Sequence, residues 1–326
     1  MSAPFRFGLI GAGRMGRTHL RGLEGSTEVE IVAVTEPVES AAASLREQGL
    51  SVLPTAEEMF AESELDGVLI AVPTPQHIDT TRKALEAGLP VLCEKPFGLV
   101  PDDARAAGEL ASEKGLALQI AYWRRFVPQL STLRSDLADG KYGTVHFLVC
   151  SQWDEAPPPL SFRNDSGGIY IDMGVHEVDQ TLWLLGQDFT EYKTQSFPTT
   201  EDPGAQNDVD SAQALAMLSG GTSTVISLGR FYKGGDIVSV ELFGSRDHTR
   251  FDVVSPETGE GPQLHALKLQ AEAFARHARG AAQEGTTAEE AARVLELAHG
   301  LTEAAGVAVL GAPKGSPHQD RPSEGS

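Results

Sequence analysis

Along the first 121 residues, short apolar runs rich in β-branched side chains alternate with stretches whose apolar positions recur at helical spacing. Runs at 5–10, 29–35, 67–72, 91–94 and 116–121 predict strands too uniformly apolar to have a wet face. Stretches at 15–23, 38–48, 76–87 and 102–114 predict helices between them, with Gly49, Gly88 and Gly115 placed as stops. Strand and helix in strict alternation predict a doubly wound parallel sheet covered on both faces. Beyond residue 121 the rhythm changes. A helix is predicted over 174–185, then strands near 189–197, 209–218, 222–231 and 236–243, with Gly220-Gly221 and Gly234-Gly235 as turn signals. Two alanine-rich helices, 264–279 and 287–305, close the pattern, and 313–326 is polar and aperiodic, as a disordered tail would be.

The first chemical signal is Gly11-Ala12-Gly13-Arg14-Met15-Gly16, directly after the first strand and opening the first helix. In that position the first glycine permits a tight turn, the second lets backbone approach a pyrophosphate, and the third lets helix pack on strand. A ligand-free glycine turn would not need that strand and helix context. The expected fold class is therefore α/β: a Rossmann domain over 1–121, then an α+β domain over 122–312 with an open, mostly antiparallel sheet, then the tail over 313–326. Glu36 follows Gly16 by 20 residues at the end of the second strand, where a carboxylate accepts hydrogen bonds from ribose hydroxyls. That favours NAD over NADP. Arg14 is the counter-signal, since an arginine in this loop could meet a 2′-phosphate and keeps NADP possible.

Charge then narrows the partners. A formal net charge of −20 repels phosphate backbones and anionic lipid, so neither nucleic acid nor membrane is expected as a main partner. Two cysteines, Cys93 and Cys150, offer no disulfide framework and no Cys-x-x-Cys spacing. With no signal-peptide profile at residues 1–10 and no long apolar run, a cytoplasmic location is expected.

Lys95, in Glu94-Lys95-Pro96, lies at the carboxyl edge of the predicted sheet, where ligands bind in doubly wound folds. Beside oxidised nicotinamide its ammonium form would be disfavoured, which suits a proton acceptor; a solvated surface lysine is the other reading. Asp172, His176 and Asp179 are spaced i, i+4, i+7, so on an α-helix they would share one face. Asp172 as a helix N-cap is the competing reading. A metal is not expected, because two carboxylates and one histidine lack the His-Glu-x-x-His spacing.

Taken in order, Gly11–Gly16, Thr74-Pro75-Gln76-His77, Glu94-Lys95-Pro96, Trp123-Arg124-Arg125-Phe126, Asp172–Asp179 and Trp183-Leu184-Leu185-Gly186 resemble the family of glucose-fructose oxidoreductase, inositol dehydrogenase and MocA, most of all its inositol dehydrogenase branch. The resemblance implies Lys95, Asp172 and His176 as the catalytic set, in a cleft between the two domains. It implies a cofactor lining of Gly11, Gly13, Arg14, Met15, Gly16, Glu36, Pro73, Thr74, His77, Glu94, Lys95 and Arg125, and a cis Lys95–Pro96 peptide. Trp123, Arg124 and Arg163 join Lys95, Asp172 and His176 as expected substrate contacts. The stretch Gln152 to Pro159 departs from inositol dehydrogenases; there Trp153 could stack on a sugar ring and Asp154 bind its hydroxyls, or Trp153 could pack the core. The expected activity is NAD-dependent oxidation of a secondary hydroxyl on a cyclic polyol or sugar, in a homodimer or homotetramer. An NADP-dependent keto-sugar reductase and a non-catalytic NAD(H) sensor are the alternatives.

Overall fold

The computed structural model describes residues 3–198, 205 and 208–307, so the tail expected over 313–326 lies outside the described residues. The first sheet holds β1 (Phe5–Ile10), β2 (Val29–Thr35), β3 (Val52–Leu53), β4 (Gly67–Ile70), β5 (Val91–Cys93) and β6 (Leu118–Ile120). Every neighbouring pair is parallel, in the order β3-β2-β1-β4-β5-β6. Sequence order reverses between β1 and β4, so their carboxyl ends open a crevice suited to a ligand. Five helices make the crossovers: α1 (Arg14–Leu23), α2 (Glu39–Glu47), α3 (Ala56–Glu62), α4 (His77–Glu86) and α5 (Pro101–Lys114). The hydrophobic pattern did not predict β3 or α3, which are too short to show a period.

A 3-10 turn, Trp123–Phe126, and α6 (Pro128–Ala138) lead into β7 (Val145–Trp153). After α7 (Leu160–Asp165), a π-helical turn over Tyr170–Gly174 runs directly into α8 (Val175–Leu185). The second sheet is completed by β8 (Phe189–Pro198), β9 (Val209–Leu218), β10 (Ser223–Gly229), β11 (Ile237–Gly244) and β12 (His248–Val254). Its order is β12-β11-β7-β10-β9-β8, antiparallel except for the β7·β10 pair. β7 and β12 come in addition to the four expected strands.

Strand alternation gives this sheet two unlike faces. Leu148, Cys150, Ile226, Leu228, Val240 and Leu242 are buried on the side carrying the helices, whereas Leu215, Met217 and Phe243 are exposed on the other. The last two helices, α9 (Gly261–Ala278) and α10 (Ala288–Ala304), return to the first sheet. Phe274 of α9 is fully buried, with its ring 5.7 Å from Phe7 and edge-on to Phe5 at 6.0 Å, a burial that contributes on the order of 2–3 kcal/mol. Thr287 and Glu290 start α10 with a reciprocal capping box. α9 and α10 thus clamp the crevice-bearing sheet to the segment that carries Trp123 and α8.

Candidate active site

The glycine loop has the geometry its spacing predicts. Gly11 sits at φ 93°, in the left-handed region, and a Cβ on Gly16 would lie 2.1 Å from the Gly11 carbonyl oxygen. Over Gly13 there is open space, with no protein atom within 4 Å of an added Cβ. No side chain caps α1, and its first intrahelical bond runs from the Arg17 N–H to the Gly13 carbonyl at 3.0 Å. The amides of Arg14, Met15 and Gly16 therefore precede the helix ladder and suit an anion. Glu36 is drawn onto this loop: one oxygen accepts from the Ala12 N–H at 3.3 Å, the other from the Val38 N–H at 2.9 Å. Arg14, the first residue of α1, is exposed. An uncapped helix start under open space, with a carboxylate at the end of β2, fits a dinucleotide.

On the other side of the crevice, Pro73 precedes the 3-10 turn Thr74–Gln76 and Thr74 is buried. His77 is clamped between two carbonyls, Pro96 O at 2.7 Å from Nδ1 and Val72 O at 2.8 Å from Nε2. Burial lowers its pKa, against the opposing pull of those carbonyls and of Glu94. Glu94 is bound by His19 at 2.7 Å and accepts the Lys95 N–H at 3.1 Å. Burial would raise the Glu94 carboxyl, but the His19 hydrogen bond, with the charges of His19 and Lys95, holds it below the usual range. The side chains of His77 and Glu94 are thus committed to protein partners. His77 ties the exits of β4 and β5 together and Glu94 ties the exit of β5 to α1, a correction to their expected direct contact with cofactor.

Lys95 stands just past β5, and its peptide bond to Pro96 is cis. Its Nζ donates to the Asp172 carbonyl oxygen at 2.8 Å and lies 3.8 Å from Asp172 Oδ1. Both side chains keep some access to solvent, 16% and 13%. His176 packs edge-on to Tyr122 and Trp123, and its buried Nδ1 has no partner among the described residues. Burial, with the charges of Lys95 and Arg124, pushes its pKa well down, so the imidazole is neutral. The structure therefore brings Lys95 and Asp172 into contact and sets a neutral His176 within the field of Lys95.

The shared helix face expected for Asp172, His176 and Asp179 does not form. Residues 170–174 take i→i+5 bonding, which widens the turn and breaks the α-helical alignment. Asp172 meets Lys95, whereas Asp179 turns to Arg125. Nor does Asp172 cap a helix: Gly174 precedes α8, with no side-chain cap.

Three arginines are corrected. Arg124 is buried against Glu177 at 2.5 Å and Gln152 at 2.6 Å. Arg125 grips Asp179 with Nη2 at 2.6 Å and Nε at 3.2 Å, and Glu290 with Nη1 at 2.9 Å, so its guanidinium faces protein instead of cofactor. Arg163 is fully buried on Asp208 at 2.6 Å and cannot touch substrate there. Trp123 is also buried and acts on His176 by packing. Trp153 donates from Nε1 to Ser227 Oγ at 3.1 Å and lies over Gly229, whose added Cβ would meet its ring at 2.1 Å. Both positions are on the open face of the second sheet, opposite the helix-covered face, so stacking on a sugar in this cleft is not its role.

Asp154, one residue on, returns to the covered side, where Gln152 Nε2 donates to it at 3.0 Å. Burial first, then the charges of Asp172 and Asp236, push its carboxyl up to about 6. The folded protein thus holds a proton there that the unfolded chain loses nearer pH 4, so stability falls as pH rises from about 4 to 6. Asp154→Asn should gain stability relative to wild type over that window, by at most about 3 kcal/mol. Urea denaturation of both proteins at pH 4 and pH 7 checks this; an offset equal at the two pH values would contradict it.

Sequence reasoning did not find His19, the partner of Glu94, or Arg230, which donates to Asp172 Oδ2 at 3.2 Å. His19 does follow Gly16 by one helical turn, which places it near the loop, and Arg230 closes β10 directly after Gly229, but neither spacing names a partner.

Against known proteins, residues 5–122 match an oxidoreductase family with an NAD-binding Rossmann fold, and residues 130–249 match the GFO/IDH/MocA C-terminal domain. The chain is 44% identical over 299 residues to the rhizopine catabolism protein MocA of Rhizobium meliloti, covering 92% of this chain and 94% of that protein. It is 29% identical over 269 residues to inositol 2-dehydrogenase of Rhizobium meliloti strain 1021, covering 80% and 82%. The crystal structure of a myo-inositol dehydrogenase from Corynebacterium glutamicum ATCC 13032 superposes with a TM-score of 0.83 at 27% identity, over 93% of this chain and 97% of that one.

Proposed function

The chain belongs to the oxidoreductase family of glucose-fructose oxidoreductase, inositol dehydrogenase and MocA, and from that premise we propose that it oxidises a secondary hydroxyl of an inositol-like cyclic polyol or sugar to the ketone, with NAD. The observation that carries this reading is the contact of Lys95 with Asp172 beside a neutral His176, at the mouth of the dinucleotide crevice. Bound NAD would supply a hydride acceptor at the nicotinamide. Gly11, Gly13 and Gly16, with the first amides of α1, hold its pyrophosphate, and Glu36 holds the ribose hydroxyls. Lys95 donates to the reacting oxygen and stabilises the negative charge that develops there, while His176 takes the hydroxyl proton. With Nδ1 buried, Nε2 is the ring nitrogen left for that transfer. Asp172 orients Lys95 through its carbonyl and carboxylate. Asp154, on the covered side of the sheet and close enough to Asp172 to feel its charge, contacts substrate hydroxyls.

The exposed sheet face of Leu215, Met217 and Phe243 supports assembly as a homodimer or homotetramer. No helix among the described residues is long and apolar enough to cross a membrane.

NADH formation across a panel of inositols, pyranoses and anhydrosugars tests the activity. At least one cyclic polyol should be turned over, with NAD preferred to NADP. Glu36→Ala should narrow that preference by about tenfold, or ~1.4 kcal/mol. Tight NADH binding with no oxidation of any compound would make the protein a sensor instead.

A further inference from the structure

Behind Asp172 the structure holds a file of alternating charge that no part of the reaction above uses. Lys95 Nζ and Asp172 Oδ1 are 3.8 Å apart, and Arg230 Nη1 reaches Asp172 Oδ2 at 3.2 Å. From the same guanidinium, Nη2 donates to Asp208 Oδ1 at 3.2 Å, and Nε lies 2.7 Å from Asp208 Oδ2, off line for donation. Arg163 Nε extends the file to Asp208 Oδ2 at 2.6 Å, and its Nη2 reaches Asp210 Oδ1 at 3.3 Å. The side chains of Arg230, Asp208 and Arg163 have no solvent exposure, and only Asp172 and Lys95 reach the cleft.

Burying two arginines and an aspartate costs several kcal/mol per ion before pairing, and an apolar cluster would fill the same space. Stability alone is therefore a poor reason for the file. Its geometry supplies a better one. Lys95 is hydrogen-bonded to the Asp172 carbonyl at 2.8 Å, yet the carboxylate stays a full ångström further away, held on its other oxygen by Arg230. Burial works against the Arg230 charge, but Asp172 and Asp208 more than offset it, so the guanidinium stays cationic.

We propose that Arg230, anchored by Asp208 and Arg163, is a positioning residue: it claims one oxygen of Asp172 and so keeps Lys95 out of a tight ion pair and free for the reacting oxygen. This inference rests on the dehydrogenase reading for what Lys95 does, and on the ion file alone for how Lys95 is held.

Alternation of charge makes the test directional. In Arg230→Gln, Asp172 collapses onto Lys95, and the pH at which Lys95 loses its proton rises. In Asp208→Asn, Arg230 loses its counter-charge and draws Asp172 harder, so that pH falls. Each change should be about half a pH unit or more. The other titratable groups around Lys95 and Asp172, namely Glu94, His77, His176 and Asp154, are the same in every variant. Reductive methylation of Lys95 against pH, read by mass spectrometry on the full chain without substrate, gives the midpoint directly. Arg230→Lys keeps the charge and should return the midpoint toward wild type. With a polyol that wild type oxidises, kcat should fall about tenfold in Arg230→Gln while KM changes less than about threefold, and Arg230→Lys should recover part of the loss.

Midpoints that move the same way in both variants, or not at all, would overturn the proposal. Asp208→Asn is isosteric and keeps both arginines, so its downward shift still decides the matter should Arg230→Gln fail to fold. Should wild type oxidise no polyol, the dehydrogenase reading fails, and the opposed shifts alone decide how Lys95 is held.

Discussion

Lys95→Met is expected to lower kcat by about a thousandfold, or ~4 kcal/mol of transition-state stabilisation. Methionine keeps much of the lysine's apolar length but cannot donate to an oxygen on which charge develops. The loss should fall on kcat, because the cradle of Gly11, Gly13 and Gly16 lies across the crevice, and NADH affinity should stay within about threefold. Stability should hold as well. Asp172 keeps Arg230 at 3.2 Å when Lys95 is gone, so no buried charge is stranded. His176→Asn is expected to cost less, about a hundredfold, since water can take the proton where no side chain can replace the ammonium. Steady-state kinetics with the best polyol and fluorescence titration with NADH separate these effects. Retention of a tenth of wild-type turnover by Lys95→Met would remove Lys95 from the chemistry.

The difference between what the sequence made legible and what it did not follows the range of the interactions. The glycine loop is local: turn, ligand approach and helix packing are all written within six residues, and β1 and α1 flank them as expected. The contact between Lys95 and Asp172 joins segments 77 residues apart, and no spacing rule encodes it; family resemblance suggested it and the geometry made it specific. A period of 3.6 assumed through residues 172–179 hid the π-helical turn, and with it the separate destinations of Asp172 and Asp179.

The arginines show the opposite error. Arg124, Arg125 and Arg163 were expected to meet ligand on the family resemblance, yet each neutralises an acid inside the protein. In a chain with 46 acidic and 26 basic residues, cations are the scarcer partner, and the buried carboxylates Glu177, Asp179 and Asp208 claim them first. Trp153 failed for another reason: with β7 unrecognised, the face on which residue 153 lies could not be assigned, and the parity of one strand decides between cleft and open sheet.

Gly13→Ala and Gly16→Ala should separate the two demands that the glycine loop places on its residues. At Gly13 an added Cβ meets no protein atom within 4 Å, and the backbone, at φ −66°, already suits alanine. The protein should tolerate the change, at a cost of only a few tenths of a kcal/mol as a helix N-cap. The methyl would instead stand in the space where a pyrophosphate approaches, so NAD should bind about a hundredfold more weakly, or ~2.7 kcal/mol. At Gly16 the added Cβ would meet the Gly11 carbonyl oxygen at 2.1 Å, backbone against backbone, and neither atom sits on a side chain that can swing away. Loop and helix must part there, so Gly16→Ala should lose both NAD affinity, by a hundredfold or more on the same scale, and about 1–3 kcal/mol of stability. Calorimetric titration with NADH and urea denaturation read the two effects independently. Equal destabilisation by both substitutions would mean that the open space over Gly13 is not reserved for the dinucleotide but needed by the fold.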